Sequence, residues 1–463
     1  MTGIVTNSCD KSEDDPKGDA SVTVIAGAEE VDAVKGAAEI KLRIDGFKDM
    51  KYLKIEKETS FGKLPANYQK SILSEEFTYE YQLKQTDPEL IYINFTGYDL
   101  SGAAGPTTTV KIHNKEGVSG KSVTFTNLQC ISRVTGKEEN GHDGLPAVKY
   151  SVGNRTDLKY NVGGTDLGIV WEIEPGRYGL FFGDTYGADF KPNFAAPGPN
   201  GGSWRCNVVL FSEDTDLSNG LRIDDAATDG KQAKEICFGA KNTSGTGDWT
   251  SIPTAAVHAN GAEYVHYMNI KAWNGWVTNY SGMYKSTDKG MNWERVGTVN
   301  FAGESNFGQA GYYNDNGTVY MIATKTGRSD TPHIARFRES DIEDPAKYEY
   351  WNGIGWIKGR EDLAVPMFKD ETGELSFSYM PELGKWILLY FNGPRYEISM
   401  RSADRPEGPW SDPVQVASGW QWAQLYGSFI HPLSKNGTTL YFIMSMWLPY
   451  NTYLMSIDLK SSK

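Results

Sequence analysis

GMYKSTDKGMNW (282–293) is a short apolar strand that ends in Ser286 and is followed by Asp288, Gly290 and Trp293. The same unit, an apolar strand closing on Ser or Arg with an Asp nearby, recurs four more times. The copies are VVLFSEDTDL (208–217), IARFRESDIED (334–344), ISMRSADRPEGPW (398–410) and YLMSIDL (453–459). Two further strand-like segments precede each copy, such as TAAVHANG and EYVHYMNI (254–270), or ELSFSYMPELG and KWILLYFNG (374–393). Five units of about 50–70 residues, each of three or four short strands, are the pattern of a five-bladed β-propeller. The expected fold class is therefore all-β, with the propeller over residues 119–463. SVTFTNLQCISRV (122–134) is a candidate for the strand that closes the ring onto the last blade.

Ser286, Asp288, Gly290 and Trp293 spell S-x-D-x-G-x-x-W, which resembles the Asp box of sialidase-like propellers. Its physics is that of a turn: the Asp accepts local backbone N–H groups, Gly supplies a positive φ, and Trp packs over the bend. The motif speaks for the fold and not for a reaction.

Ahead of the repeats, residues 21–118 alternate apolar and polar at period two. SVTVI (21–25), EIKLRI (39–44), KYLKIEK (51–57), FTYEYQL (77–83), LIYINFTGY (90–98) and TTTVKIH (107–113) predict an N-terminal Ig-like β-sandwich. Its polar residues converge on no recognisable chemistry, as befits a spacer. Residues 1–20 are polar and acidic and cannot form a core. Cys9, followed by Asp, Lys, Ser, Glu, Asp and Asp, looks like the lipidated start of a bacterial surface lipoprotein with an acidic tether. That makes Cys9 the candidate lipid anchor, although the apolar stretch before it is only Gly-Ile-Val.

A formal charge of −13 argues against nucleic acid as a partner, because a polyphosphate rewards basic patches. No apolar run is long enough to span a bilayer as a helix. Four Cys with no CxxC pair suggest neither a disulfide scaffold nor a zinc site. No cofactor or metal is expected. The excess lies in 13 Trp, 26 Tyr, 19 Phe and 50 Gly, a composition suited to strands and to stacking on sugar rings.

The chemistry concentrates in GGTDLGIVWEIEPGRYGLFFGDTYG (163–187). Two apolar strands flank Glu174-Pro175-Gly176-Arg177, and a hairpin folded about Pro175 sets Asp166 almost opposite Asp184. Directly opposite Cβ atoms on paired strands lie ~4.5–5.5 Å apart and diagonal ones ~7–8 Å. Two carboxylates so close raise one pKa, giving a protonated acid beside an ionised base or nucleophile, as glycoside cleavage needs. The competing reading is that both Asp residues merely cap turns. Arg205 and Asn207, after the Pro/Gly loop 197–202, His258, at the start of the second repeat, and Gln309 and Tyr426, at inner-strand starts of later repeats, are the candidate substrate-binding residues around the same channel. His431 shares the last repeat with Tyr426, but a buried, hydrogen-bonded His is the commoner case. Trp273, Trp276, Trp420 and Trp422 are candidates for stacking, and Glu382 in PELGKW reads as an outer turn.

Gly164-Thr165-Asp166-Leu167-Gly168, Phe182-Gly183-Asp184-Thr185, Trp204-Arg205 and Ser212-Glu213-Asp214-Thr215-Asp216-Leu217 resemble a family of bacterial five-bladed propellers, long catalogued as a domain of unknown function. Its characterised members are endo-D-arabinanases that cleave the D-arabinofuranose chains of mycobacterial arabinogalactan and lipoarabinomannan. The resemblance covers about residues 145–463. It implies that Asp166 and Asp184 are the catalytic acids, that a D-arabinan is the polysaccharide substrate, and that the role of each Asp stays open. With an Ig-like spacer and an acidic tether, the chain also looks like the surface glycanases of gut-type Bacteroidetes, at the cell surface, outer membrane or periplasm. The alternatives are a sialidase, a propeller cleaving L-arabinan or xylan with a third carboxylate (Asp362 or Glu397), and a non-catalytic glycan-binding propeller.

Overall fold

A computed structural model describes residues 21–33, 37–59, 62–63, 67–69, 74–82, 90–114, 123–137, 147–192, 201–422 and 424–460. The tether 1–20 with Cys9 lies outside them. The protein is all-β; its one described α-helix is the single turn Thr156–Tyr160. No described helix is long and apolar enough to cross a membrane. The chain divides into two compact units, 1–119 and 120–463.

In the first unit, alternation becomes two sheets. Thr23–Ala26, Ala37–Asp45 and Glu76–Gln82 form one. Met50–Thr59, Leu90–Asp99, Ala104–His113 and three short strands form the other. Along Ala37–Asp45 every second side chain is buried, which is the period-two signal made physical. Ile40, Leu42, Ile55, Ile93, Phe95 and Val110 meet in one apolar cluster.

Among the described residues, the second unit holds five antiparallel sheets of four or five strands, with a two-stranded ribbon besides. Their innermost strands are Leu167–Glu174, Thr250–Ala259, Gln309–Asp315, Leu375–Met380 and Leu425–Ile430. Each neighbours the next, and the fifth returns to the first, so the sheets close a propeller-like ring around a channel. Thr124–Arg133 pairs antiparallel with Asn451–Lys460, so the fifth sheet combines strands from both ends of the unit. This shields what would otherwise be an open edge. All five sequence repeats fall on the third strand of their sheet, beginning with Val208–Ser212 and ending with Asn451–Lys460.

The turn after the second-sheet copy behaves as its sequence dictates. Asp288 Oδ1 accepts the Asn292 N–H at 2.8 Å, Gly290 sits at φ +87, and Trp293 Nε1 donates to the Gly290 carbonyl at 2.7 Å. The Trp293 ring then packs edge-on against Phe181 at 5.1 Å, tying the second sheet to the first.

Candidate active site at one mouth of the channel

The inner strands all run the same way through the ring, so residues at their starts gather at one mouth and residues at their ends at the other. The starting mouth holds a cavity of about 590 Å³ lined by Asp166, Asp184, Gln309, Arg328, Glu374 and Tyr426 among apolar and aromatic side chains. The other mouth holds a shallower cavity of about 710 Å³. There the charged groups are already paired: Lys289 with Glu174 at 2.8 Å, Lys435 with Glu172 at 2.7 Å and His258 with Glu263 at 2.7 Å.

Backbone geometry aims Asp166. Leu167↔Phe182 are paired, yet the next pair is Ile169↔Phe181, a bulge at Gly168. Leu167 is held at φ +68 and Gly168 at φ +95. For Leu this is a costly region, occupied only where surroundings over-determine it. Ser445 supplies the constraint: its hydroxyl accepts the Leu167 N–H at 2.7 Å and donates to the Leu167 carbonyl at 3.1 Å. A bulge re-aims the adjacent side chain, and here that side chain is Asp166. Gly183 completes the seat, since a Cβ there would stand 2.3 Å from Asp166 Oδ1.

The two carboxyls have different surroundings. Asp166 Oδ2 accepts the Tyr426 hydroxyl at 2.8 Å, while its buried Oδ1 has no hydrogen-bond partner among the described residues. Burial pushes the Asp166 carboxyl up to about 7, and the neighbouring Asp184 charge adds to this. Asp184 is 7 % exposed, and its Oδ1 accepts two donors, Trp204 Nε1 at 2.7 Å and Thr250 Oγ1 at 2.8 Å. Burial raises it to about 6, and those two hydrogen bonds hold it down. One group is thus disposed to carry a proton and the other to carry a charge, on adjacent backbone segments.

A cation completes the mouth. Arg328 donates to Glu374 through Nε at 3.1 Å and Nη2 at 2.6 Å. Its guanidinium lies 5.0–5.1 Å from the ring centroids of Trp276, Phe391 and Tyr426. Such stacking and a paired carboxylate fix an Arg rigidly. Gln309 accepts the Gly327 N–H at 3.0 Å through Oε1, leaving buried Nε2 without a partner among the described residues.

Of the residues expected from sequence, Asp166, Asp184, Gln309 and Tyr426 are brought together here, with Trp273 and Trp276 in the wall. Three expectations require correction. Arg205 is buried and spends its guanidinium on the carbonyls of Ala233 (2.7 Å), Asn161 and Ser203. Asn207 is sealed, donating to the Cys237 and Ser251 carbonyls and accepting the Ile236 and Cys237 N–H groups. Both precede a third strand, Val208–Ser212, which stands away from the channel. His258 lies near the end of its inner strand and so faces the opposite mouth. His431 is fully buried against Tyr178, where burial lowers its pKa to about 3 and keeps it neutral. Glu382 lies in the turn Pro381–Leu383, as its sequence suggests. Asp362 pairs with Arg360 and Glu397 with Arg395, and neither lines the cavity. Trp422 packs on the core, and Trp420 is 85 % exposed beside Tyr396, which lines the cavity.

Sequence reasoning missed Arg328, Glu374 and Thr250, and gave Trp204 no role of its own. A signal existed for one of them. Asp166-Leu167, Glu374-Leu375 and Gln424-Leu425 are the same polar–Leu pair at the entry to three inner strands. Among the described residues, no three His, Cys, Asp or Glu side chains gather as a metal site. Cys130, Cys206 and Cys237 are buried and unpaired.

Comparison with known proteins agrees in extent with the second unit. A notoamide biosynthesis cluster protein, J', of Aspergillus versicolor is 28 % identical over 312 residues, covering 62 % of this chain and 82 % of its own. An uncharacterized 35.9 kDa protein of Mycolicibacterium smegmatis is 24 % identical over 315 residues, covering 62 % and 88 %. Among solved structures, a putative hydrolase from Bacteroides ovatus superposes with a TM-score of 0.47 at 12 % identity, over 65 % of this chain and 86 % of that one. A family 117 glycoside hydrolase of Zobellia galactanivorans gives 0.40 at 12 % identity, over 74 % and 92 %. Residues 151–456, from just ahead of the Asp166 hairpin to the last strand of the ring, match the model of one family throughout, and the chain belongs to it: the domain of unknown function DUF4185.

Proposed function

We propose that this chain is a glycoside hydrolase in which an Ig-like sandwich is followed in sequence by a five-bladed β-propeller, acting within α-D-arabinofuranosyl chains of mycobacterial arabinogalactan and lipoarabinomannan. The observation that carries the hydrolase reading is the unequal pair of carboxyls in one aromatic-lined cavity. Asp166, with an unpartnered buried oxygen and a pKa near 7, is the general acid that protonates the leaving glycosidic oxygen. Asp184, held ionised by Trp204 and Thr250, activates the attacking water. Tyr426, whose own proton is retained through burial, positions Asp166 by donating to it. The D-arabinan assignment rests on the T-D-L-G and F-G-D-T segments and their resemblance to endo-D-arabinanases; the names of the relatives speak of no glycan. Cys9 as a lipid anchor and a surface or periplasmic location in a Bacteroidetes-type bacterium belong to the same proposal.

The test is product analysis after incubating the protein, and its Asp184→Asn variant, with mycobacterial arabinogalactan, plant L-arabinan and a sialoside. Oligosaccharides released from the D-arabinan alone, and absent with the variant, are the expected result. No product from any glycan, with binding retained by the variant, would leave a sugar-binding propeller.

An endo mode of action needs contacts beyond the cleaved bond. Trp420 lies outside the cavity, its ring 5.4 Å from that of Tyr396 in the cavity wall. Stacking on such a ring contributes about 0.5–1.5 kcal/mol. Trp420→Ala is therefore expected to raise KM about 2–10-fold on long chains and to leave the shortest substrate unaffected, as read by initial rates across a length series.

A further inference from the structure

We infer that Gln309, Arg328 and Glu374 form a seat that reads the hydroxyls of an uncharged sugar residue and turns away one bearing a carboxylate. The inference rests on the glycosidase reading and adds to it the residues that enforce the charge class of the substrate. Gln309 lines the cavity and is 1 % exposed; its Oε1 is committed to Gly327 N–H, which fixes the amide, and its buried Nε2 has no hydrogen-bond partner among the described residues. A buried donor left unmade costs about 1–3 kcal/mol, and a ligand acceptor relieves that cost. Arg328 spends Nε and Nη2 on Glu374, and among the described residues Nη1 has no hydrogen bond. Three rings hold that guanidinium in place, and one of them, Tyr426, donates to Asp166, so the seat is one side chain away from the proposed acid.

Charge decides what these donors accept. Glu374 is buried and neutralises Arg328, so the guanidinium offers a directed N–H with little net charge. The cavity lining holds three carboxyls, Asp166, Asp184 and Glu374, against the single cation Arg328. An incoming carboxylate meets an excess of negative charge in a poorly solvated site, where like charges repel strongly. A hydroxyl accepts from Gln309 Nε2 or Arg328 Nη1 and donates in turn to Glu374, so a neutral diol satisfies every group. Glu374 is consequently a positioning residue that sets the polarity of the seat.

The experiment is a fluorescence or calorimetric titration of the full wild-type chain with non-hydrolysable S-linked probes, so that turnover is prevented while all three carboxyls stay in place. The probes are a neutral arabinofuranosyl oligosaccharide and a uronate-bearing oligosaccharide of similar length. Adding Gln309→Ala is expected to weaken neutral-sugar binding about tenfold. Adding Glu374→Gln, which frees the Arg328 charge, is expected to weaken the neutral sugar and strengthen the uronate at least tenfold, inverting the preference. A merely structural role for Glu374 weakens both probes together, and that result overturns the inference. So does unchanged neutral binding in Gln309→Ala, which is informative even where Glu374→Gln does not fold, or a parent chain that binds the uronate as well as the neutral sugar. Failure of the glycosidase reading has a different signature: the wild-type chain releases no product while the preference and its inversion persist.

Discussion

Asp166→Asn and Asp184→Asn are each expected to cut kcat on a D-arabinan by about 10²–10⁴-fold, the usual contribution of a positioned proton donor or acceptor, while circular dichroism stays unchanged. The two losses are expected to differ in their rescue. An activated aryl glycoside has a leaving group that departs without protonation, so Asp166→Asn should regain most of its rate there and Asp184→Asn should not. Azide, a small anion needing no general base, should restore turnover to Asp184→Gly and yield a glycosyl azide of inverted configuration. These assignments follow from solvation: two donors converge on Asp184 Oδ1, whereas Asp166 has one donor and an orphaned oxygen. Rescue in the opposite sense exchanges the two roles. Equal loss with no rescue of either removes the acid–base reading.

How much of this site was legible in the sequence depends on how local each contact is. The hairpin 163–187 closes through a two-residue turn at Pro175-Gly176, so counting outward brings Asp166 and Asp184 together to within two register shifts, one between Glu172 and Glu174 and one at the Gly168 bulge. The bulge itself depends on Ser445, which lies 278 residues away, and no local count reveals it. Gln309 and Tyr426 were found because each stands at or one residue past the start of an inner strand. His258 was misplaced because its strand begins at Thr250, before the first obvious apolar alternation, and eight residues carry a side chain to the other mouth. Arg205 and Asn207 were misplaced because a polar residue beside a Gly-rich loop looks free, while the buried carbonyls that bind it come from distant segments. The Arg328–Glu374 pair spans 46 residues and two sheets, and only an alignment of the five inner strands by register would have brought Glu374 into view.

The same burial that prepares the carboxyls for catalysis is expected to destabilise the fold at neutral pH. Asp166 titrates near 7 in the folded protein and near 3.8 when unfolded, so between those values the folded state binds more protons than the unfolded one. Its contribution is fully favourable below about pH 4 and is lost as pH rises through 7. A displacement of about three units corresponds to about 4 kcal/mol. Asp184, near 6, has the same sign. Wild-type Tm is accordingly expected to fall by several degrees between pH 5 and pH 8, and Asp166→Asn, which cannot ionise, should flatten that slope and melt higher than wild type at pH 8. Activity follows the same two groups in the reverse sense: kcat/KM should rise as Asp184 loses its proton around 6 and fall as Asp166 loses its proton around 7. Trp204→Phe deletes a donor to the Asp184 carboxylate, so the rising limb should move to higher pH and the peak should shrink as the two limbs converge. A wild-type Tm that rises from pH 5 to pH 8, or an Asp166→Asn chain that melts lower than wild type at pH 8, would show that Asp166 is ionised without cost, and the acid would have to be sought elsewhere in the cavity.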